Sequence, residues 1–307
     1  MRKALSTTLA ELGQKDDRIL LLTGDLGFMA LEPFADKFPG RFINVGVAEQ
    51  NMVGLGTGLA ESGFIPFLYS IATFASMRAY EFIRNGPIMH ELPVRIVGVG
   101  GGFEYGTAGP THYGLEDLGL MRIQPGITVI APADHQQARA AVLQTWDLPG
   151  PIYYRLGKDD KTVVDGLDGR FELGRAVTIG TGSDILFVTM GAISSEVVAA
   201  AQTLAQRGIG CSVMVVSNFN PDPTEDLVEA LGRFPVAVTV EAHYVNGALG
   251  SLVAEVIADH GLRCKTVRCG VRATPSGVTG SQAYLQNRHG ISRGALVDTA
   301  LQLLVQA

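Results

Sequence analysis

Three stretches of this chain carry residues that could move protons or hold anions. Glu49 stands in Val45-Gly46-Val47-Ala48-Glu49-Gln50-Asn51-Met52, between a strand-like run and a helical one. In the first turn of a helix its carboxyl meets two opposed influences. The helix N-terminus favours the anion, while burial without a cation favours the neutral acid. If burial wins, Glu49 is a protonated donor near neutral pH, suited to an acid–base relay; otherwise it only complements the helix dipole. The second stretch starts with Gly98-Val99-Gly100-Gly101-Gly102, which lets a ligand approach the backbone closely. It leads to Tyr105-Gly106-Thr107-Ala108-Gly109-Pro110-Thr111-His112, continuing to Glu116-Asp117. His112 falls in this loop, either as a proton carrier or oxyanion ligand or as a surface histidine. In the third, Arg155 ends the apolar run Ile152-Tyr153-Tyr154. A guanidinium there suits phosphate or carboxylate recognition, or a structural ion pair across a domain boundary.

These residues need a scaffold that brings distant segments together. Short β-rich runs (19–23, 42–45, 65–69, 94–99, 128–131, 152–155) alternate with helical stretches (2–12, 48–61, 77–85, 135–145). That pattern predicts a parallel sheet covered on both faces. A second alternating block has strands at 185–189, 211–216, 236–241 and 265–268, helices at 194–206 and 249–259, and a closing helix at 293–306. The expectation is α/β with two doubly wound domains: residues 1–158, a charged, turn-rich linker at 159–173, and residues 174–307. Open α/β sheets place ligands at the carboxyl ends of their strands. That rule points to Gly24-Asp25, to 45–49, to 98–112 and to Arg155.

Composition narrows the function classes. Among 307 residues, 47% are hydrophobic and 18% charged, with a net charge of −6. No basic tract marks a nucleic-acid partner. No apolar run reaches the ~18 residues of a membrane span, and the N-terminus lacks a secretory apolar core. Three scattered cysteines, Cys211, Cys264 and Cys269, suit a reducing cytoplasm and read as buried small hydrophobes rather than a disulfide framework or a zinc site. Neither Gly54-Leu55-Gly56-Thr57-Gly58 nor Gly98–Gly102 fits the dinucleotide fingerprint.

Taken together, the segments at 42–66, 109–132 and 151–157, with the openings Arg2-Lys3-Ala4 and Thr23-Gly24-Asp25-Leu26-Gly27, resemble the transketolase family. The likeness is to its pyrimidine-binding and C-terminal domains. It implies thiamine diphosphate as cofactor, with Glu49 on the ring nitrogen N1′ of the aminopyrimidine, promoting the tautomer that deprotonates the thiazolium carbon. Phe74 would pack on the pyrimidine, with Ile71 where many relatives carry a second aromatic. Asp25, with Leu26, would lie near the thiazolium. His112 would contact the substrate carbonyl, while Arg2 and Arg155, assisted by Arg78, would hold the substrate phosphate. Two departures stand out. Ala108 replaces the aspartate usual before Gly-Pro-Thr-His, and an upstream substrate-binding histidine falls near Gly100. Both put ordinary pentose-phosphate specificity in question and imply a modified sugar.

The Gly-Asp-Gly run that anchors the metal and diphosphate in this superfamily is missing. The resemblance therefore implies a split enzyme, in which an N-terminal partner subunit holds Mg2+ or Ca2+ and the diphosphate, with two copies of each chain. The alternatives are the beta subunit of a 2-oxoacid dehydrogenase decarboxylating component, a deoxyxylulose-phosphate-synthase-like enzyme, and a non-catalytic scaffold that has lost Glu49. Glu49 is present. Glu241 and His243, at the end of a later strand, read as structural or interface residues.

Overall fold

The computed structural model describes residues 1–274 and 277–305. The first half opens with helix α1 (Arg2–Leu12), strand β1 (Ile19–Thr23), the short helix α2 (Glu32–Ala35), β2 (Phe42–Asn44), α3 (Glu49–Glu61) and β3 (Ile65–Ile71). It continues with α4 (Tyr80–Ile83), β4 (Arg95–Val99), α5 (Asp117–Arg122), β5 (Thr128–Ile130), α6 (His135–Thr145) and β6 (Ile152–Leu156). β1, β4 and β6 are buried along their whole length. This is why they read as continuous apolar runs rather than alternating ones.

The second half holds β7 (Val177–Ile179), β8 (Ile185–Thr189), α7 (Ser194–Ala205), β9 (Cys211–Val215), β10 (Asn218–Asn220) and α8 (Thr224–Arg233). β11 (Val236–Tyr244), α9 (Leu249–Asp259), β12 (Lys265–Val271), α10 (Gln282–Arg288) and α11 (Arg293–Val305) complete it. The expected end of α11 at Gln306 lies outside the described residues.

Two sheets result. The larger runs β10-β5-β6-β4-β3-β1-β2 and the smaller β12-β11-β8-β9-β7. Both are parallel except for one edge strand each, β10 and β7. β10 comes from the second half yet pairs with β5 of the first, Asn218 opposite Ile130. One apolar cluster runs from Leu22 and Leu68 of the larger sheet to Val188 and Val253 of the second half. The segment 159–173, expected as a linker, is packed chain. Val164, Leu167 and Phe171 are buried, and the Val164 N–H donates to Asp134 at 2.9 Å.

The single helix expected at 77–85 is instead three pieces. Wide π turns at Phe74–Arg78 and Arg84–Ile88 flank α4. Pro87, inside the second turn, has no N–H to donate to an α-helical ladder. Helices α2, α5, α8 and α10 and strands β7 and β10 were not assigned from sequence; α2, α5, α10 and the two strands are short, and both strands are sheet edges, whereas α8 spans ten residues. Of the cysteines, Cys264 and Cys269 are buried as expected, whereas Cys211 is half-buried at the start of β9, and all three are free thiols. No described helix is long and apolar enough to cross a membrane.

Candidate active site

The connection leaving β1 runs to β2 on one flank, and that leaving β3 runs to β4 on the other. Diverging connections open a crevice at the carboxyl ends of adjacent strands. Glu49 lies there as the first residue of α3, only 2% exposed. One carboxylate oxygen accepts from Ser70 Oγ at 2.9 Å, the other from Arg78 Nη1 at 2.9 Å. Burial without a cation, considered from sequence, is therefore not the situation found: Arg78 supplies the cation. Ser70 was missed, although a polar residue closing the apolar strand Ile65-Pro66-Phe67-Leu68-Tyr69 was a signal.

Arg78 was expected to help hold a substrate phosphate. Its guanidinium carbon lies 3.9 Å from the centroid of the Phe74 ring while it donates to Glu49. The π turn spanning Phe74–Arg78 presents both side chains to the same space. Phe74 also meets His112 edge-on at 5.1 Å. Thr111 Oγ1 lies 2.9 Å from Nδ1 of His112. Ile71, half-buried at the end of β3, pairs in register with Val99. An open depression of about 650 Å3 next to Glu49 is lined by Val47, Ala48, Glu49, Gln50, Asn51 and Arg78.

On the β1 side, Asp25 is exposed with φ +58°, a conformation that short polar side chains tolerate. Asn44 holds it: Asn44 Nδ2 donates to Asp25 Oδ1 at 2.9 Å, and Asn44 Oδ1 accepts the Asp25 N–H at 3.1 Å. Leu26 is half-buried, its carbonyl accepting from Thr23 Oγ1 at 2.7 Å.

Beyond His112 the crevice is shaped by Tyr105, which the sequence reading did not single out. Its ring occupies the space where any Cβ on Gly100 would fall, and Gly100 has φ +78°. A histidine is thus excluded at that position by the aromatic that fills it. Tyr105 carries Lys158 Nζ over its ring at 4.6 Å and lies 6.5 Å from the His112 ring. Arg2 donates through Nε to the Lys158 carbonyl at 3.1 Å, so two cationic side chains reach this rim.

Arg155 departs from its expected role. It is 5% exposed, and its Nε donates to Asp117 Oδ2 at 2.9 Å. Nη2 donates to the carbonyls of Gly114 at 2.8 Å and Ala242 at 3.0 Å. This is a structural ion pair within the first half, with one further hydrogen bond reaching the second half at Ala242; a phosphate would have to displace buried partners. Asp117 also accepts from Tyr153 Oη at 2.7 Å, which leaves its Oδ1 without a partner. Nearby, Glu241 accepts the N–H groups of Leu249 and Gly250 at 3.0 and 2.9 Å, capping α9. Burial pushes its carboxyl up to about 7 against those two donors. His243 is held through Nδ1 on the Tyr244 carbonyl at 2.7 Å and Nε2 on the Gly119 N–H at 3.3 Å. Burial pushes its imidazole down to about 4.

The crevice fits an aminopyrimidine on direct grounds. A planar, nitrogen-bearing group, the Arg78 guanidinium, already lies over Phe74 while hydrogen-bonded to the buried Glu49 carboxylate.

The family model for the transketolase pyrimidine-binding domain matches residues 1–161, and that for the transketolase C-terminal domain matches residues 174–295. A putative transketolase C-terminal section from Methanocaldococcus jannaschii is 36% identical over 274 residues, covering 88% of this chain and 86% of that one. A 6-deoxy-6-sulfo-D-fructose transketolase subunit from a Clostridium species is 35% identical over 303 residues, covering 98% and 93%. Among solved structures, a split-gene transketolase in the form of an inactive β4 tetramer superposes with a TM-score of 0.89 at 35% identity, covering 99% of this chain and 98% of that one. The chain belongs to the transketolase family of thiamine-diphosphate-dependent transferases, as the C-terminal subunit of a split enzyme.

Proposed function

We propose that this chain supplies the pyrimidine-binding side of a two-chain active site that transfers a two-carbon ketol unit between sugars, one of them a modified sugar. The observation that carries this reading is Glu49, a nearly inaccessible carboxylate at a helix start, beside an aromatic face and a histidine in a crevice open to one side. When bound, thiamine diphosphate supplies the carbanion and electron sink for breaking a bond next to a carbonyl. Glu49 would hold the pyrimidine nitrogen, fixed in place by Ser70. Phe74 and Ile71 would bound the ring, and Asp25 and Leu26 would flank the thiazolium side. His112 would bind the carbonyl oxygen as charge develops on it.

The diphosphate and its Mg2+ or Ca2+ belong to an N-terminal partner subunit, two of each chain forming a two-fold assembly. Exposed Val47 lines the depression beside Glu49, and exposed Phe28 and Met29 follow β1; these apolar side chains suit a covered interface. Residues 1–158 and 174–307 act as the two domains, joined through 159–173. Arg2 and Lys158 bring two cations to the rim, beside Asp159 and Asp160, as ligands for an anionic sugar substituent, and Tyr105 with Ala108 and Gly100 supports a sugar other than the ordinary pentose phosphates. The three free thiols suit a reducing cytoplasm.

The test is to purify this chain with and without its diphosphate-binding partner and assay ketol transfer from xylulose 5-phosphate and from ketoses with modified termini. Turnover should require both chains and favour a modified ketose. Robust turnover by this chain alone would overturn the reading, and strong preference for xylulose 5-phosphate would remove its specificity clause.

A further inference from the structure

Arg78 meets the two surfaces that an aminopyrimidine would need. Its Nη1 takes one oxygen of Glu49 at 2.9 Å, and its plane covers Phe74 at 3.9 Å. Glu49 cannot turn away to serve both, because its side chain is 2% exposed and its other oxygen is held by Ser70. Arg78 can leave: its side chain is 46% exposed and borders the open depression beside Glu49. It anchors in a π turn, a distortion that recurs at functional positions.

We infer that Arg78 is an internal stand-in for the cofactor's ring, seated on Glu49 and Phe74 in the free chain and displaced when the pyrimidine enters. This inference rests on the functional reading above and adds to it a competition within the chain. The seated guanidinium keeps a buried carboxylate from standing unpaired before assembly, which would be costly. It also lowers apparent cofactor affinity by the fraction of molecules in which the seat is taken. Arg78 is in this sense a positioning residue: it acts on the cofactor through Glu49 and Phe74 and touches no reacting atom.

The experiment uses the assembled pair of chains stripped of cofactor, with thiamine diphosphate and Mg2+ titrated by calorimetry against wild type, Arg78→Gln and Arg78→Lys. Arg78→Gln should bind the cofactor roughly tenfold more tightly, equivalent to about 1.4 kcal/mol. Arg78→Lys, which keeps a cation but loses the flat face over Phe74, should show a smaller gain and stands in should the glutamine variant fail to fold. Stopped-flow binding should be faster in both. Equal or weaker affinity in a folded variant overturns the inference. So does an unchanged affinity accompanied by a raised KM for the donor sugar, the signature of a substrate ligand. A wild-type assembly that takes up no thiamine diphosphate sinks the functional reading itself, whereas uptake by wild type without a gain in the variants sinks this inference alone.

Discussion

Two clusters of ionisable side chains sit at the carboxyl ends of parallel strands, and they are built for opposite purposes. At the crevice, the buried carboxylate of Glu49 is paired with an arginine that is half in solvent. At the junction of the halves, Arg155 and Asp117 are both almost fully enclosed, at 6% and 0% side-chain exposure. They are tied further by Tyr153, Gly114 and Ala242. The first pair can be exchanged for a ligand because one member has somewhere to go. The second cannot, since removing either member strands a charge in a dry interior. A charged residue at a strand end marks a site only when its partner can be replaced.

Substitutions can break that comparison. Glu49→Gln in the assembled enzyme should lower turnover by about 10²–10⁴-fold, the range of a lost acid–base group, with little change in melting temperature. An unimpaired rate would place Glu49 with the structural cluster. Arg155→Ala should do the reverse, costing about 3–5 kcal/mol in urea unfolding by leaving Asp117 uncompensated. A combined Arg155→Met and Asp117→Leu chain should recover most of that stability. If Arg155→Ala folds normally but loses substrate affinity, the phosphate role first expected of it returns.

Acid titration sharpens the contrast further. His243 stays neutral in the fold down to about 4 because it is buried, while in the unfolded chain it takes up its proton near the ordinary ~6.5. The unfolded state thus binds more protons between those values, and stability falls as pH drops through that window, by up to a few kcal/mol. Glu104 and Glu241, both pushed up to about 7 by burial, act in the opposite sense: the folded state binds the extra proton, and stability falls as pH rises from ~4.5 to 7. Relative to wild type, His243→Asn should gain stability as pH falls from 6.5 towards 4, and a difference between the two unfolding free energies that does not change with pH would refute the assignment. The smallest effect is expected at Arg122–Glu255, an ion pair between the halves with Glu255 53% exposed. Glu255→Ala should shift stability by less than about 1 kcal/mol, and less still in high salt.

The same two clusters show how far the sequence could be read. Glu49 was singled out because it stands at a strand, a turn and a helix start within a few residues, while the role proposed for it came from the family resemblance. Arg155 was found just as readily but left between an anion ligand and a structural ion pair, because what decides its role lies 38 residues back at Asp117 and 87 residues on at Ala242. Tyr105 and Ser70 carried only weak signals, since a tyrosine in a glycine-rich loop and a serine in a strand acquire meaning from what they touch. Arg78 was noticed, but its spacing from Phe74 made no sense until the π turn brought both side chains to the same space.

The sequence by itself determined the α/β alternation, most strand and helix positions, the family, and the carboxylate at the heart of the site, because hydrophobic periodicity and helix starts are set over a few residues. Tertiary structure alone decided which charges are sealed and which stay half-exposed, that β10 crosses to the larger sheet, and that Arg78 sits on both Glu49 and Phe74. Those outcomes depend on desolvation and on partners supplied from distant parts of the chain, and neither is written at the position itself.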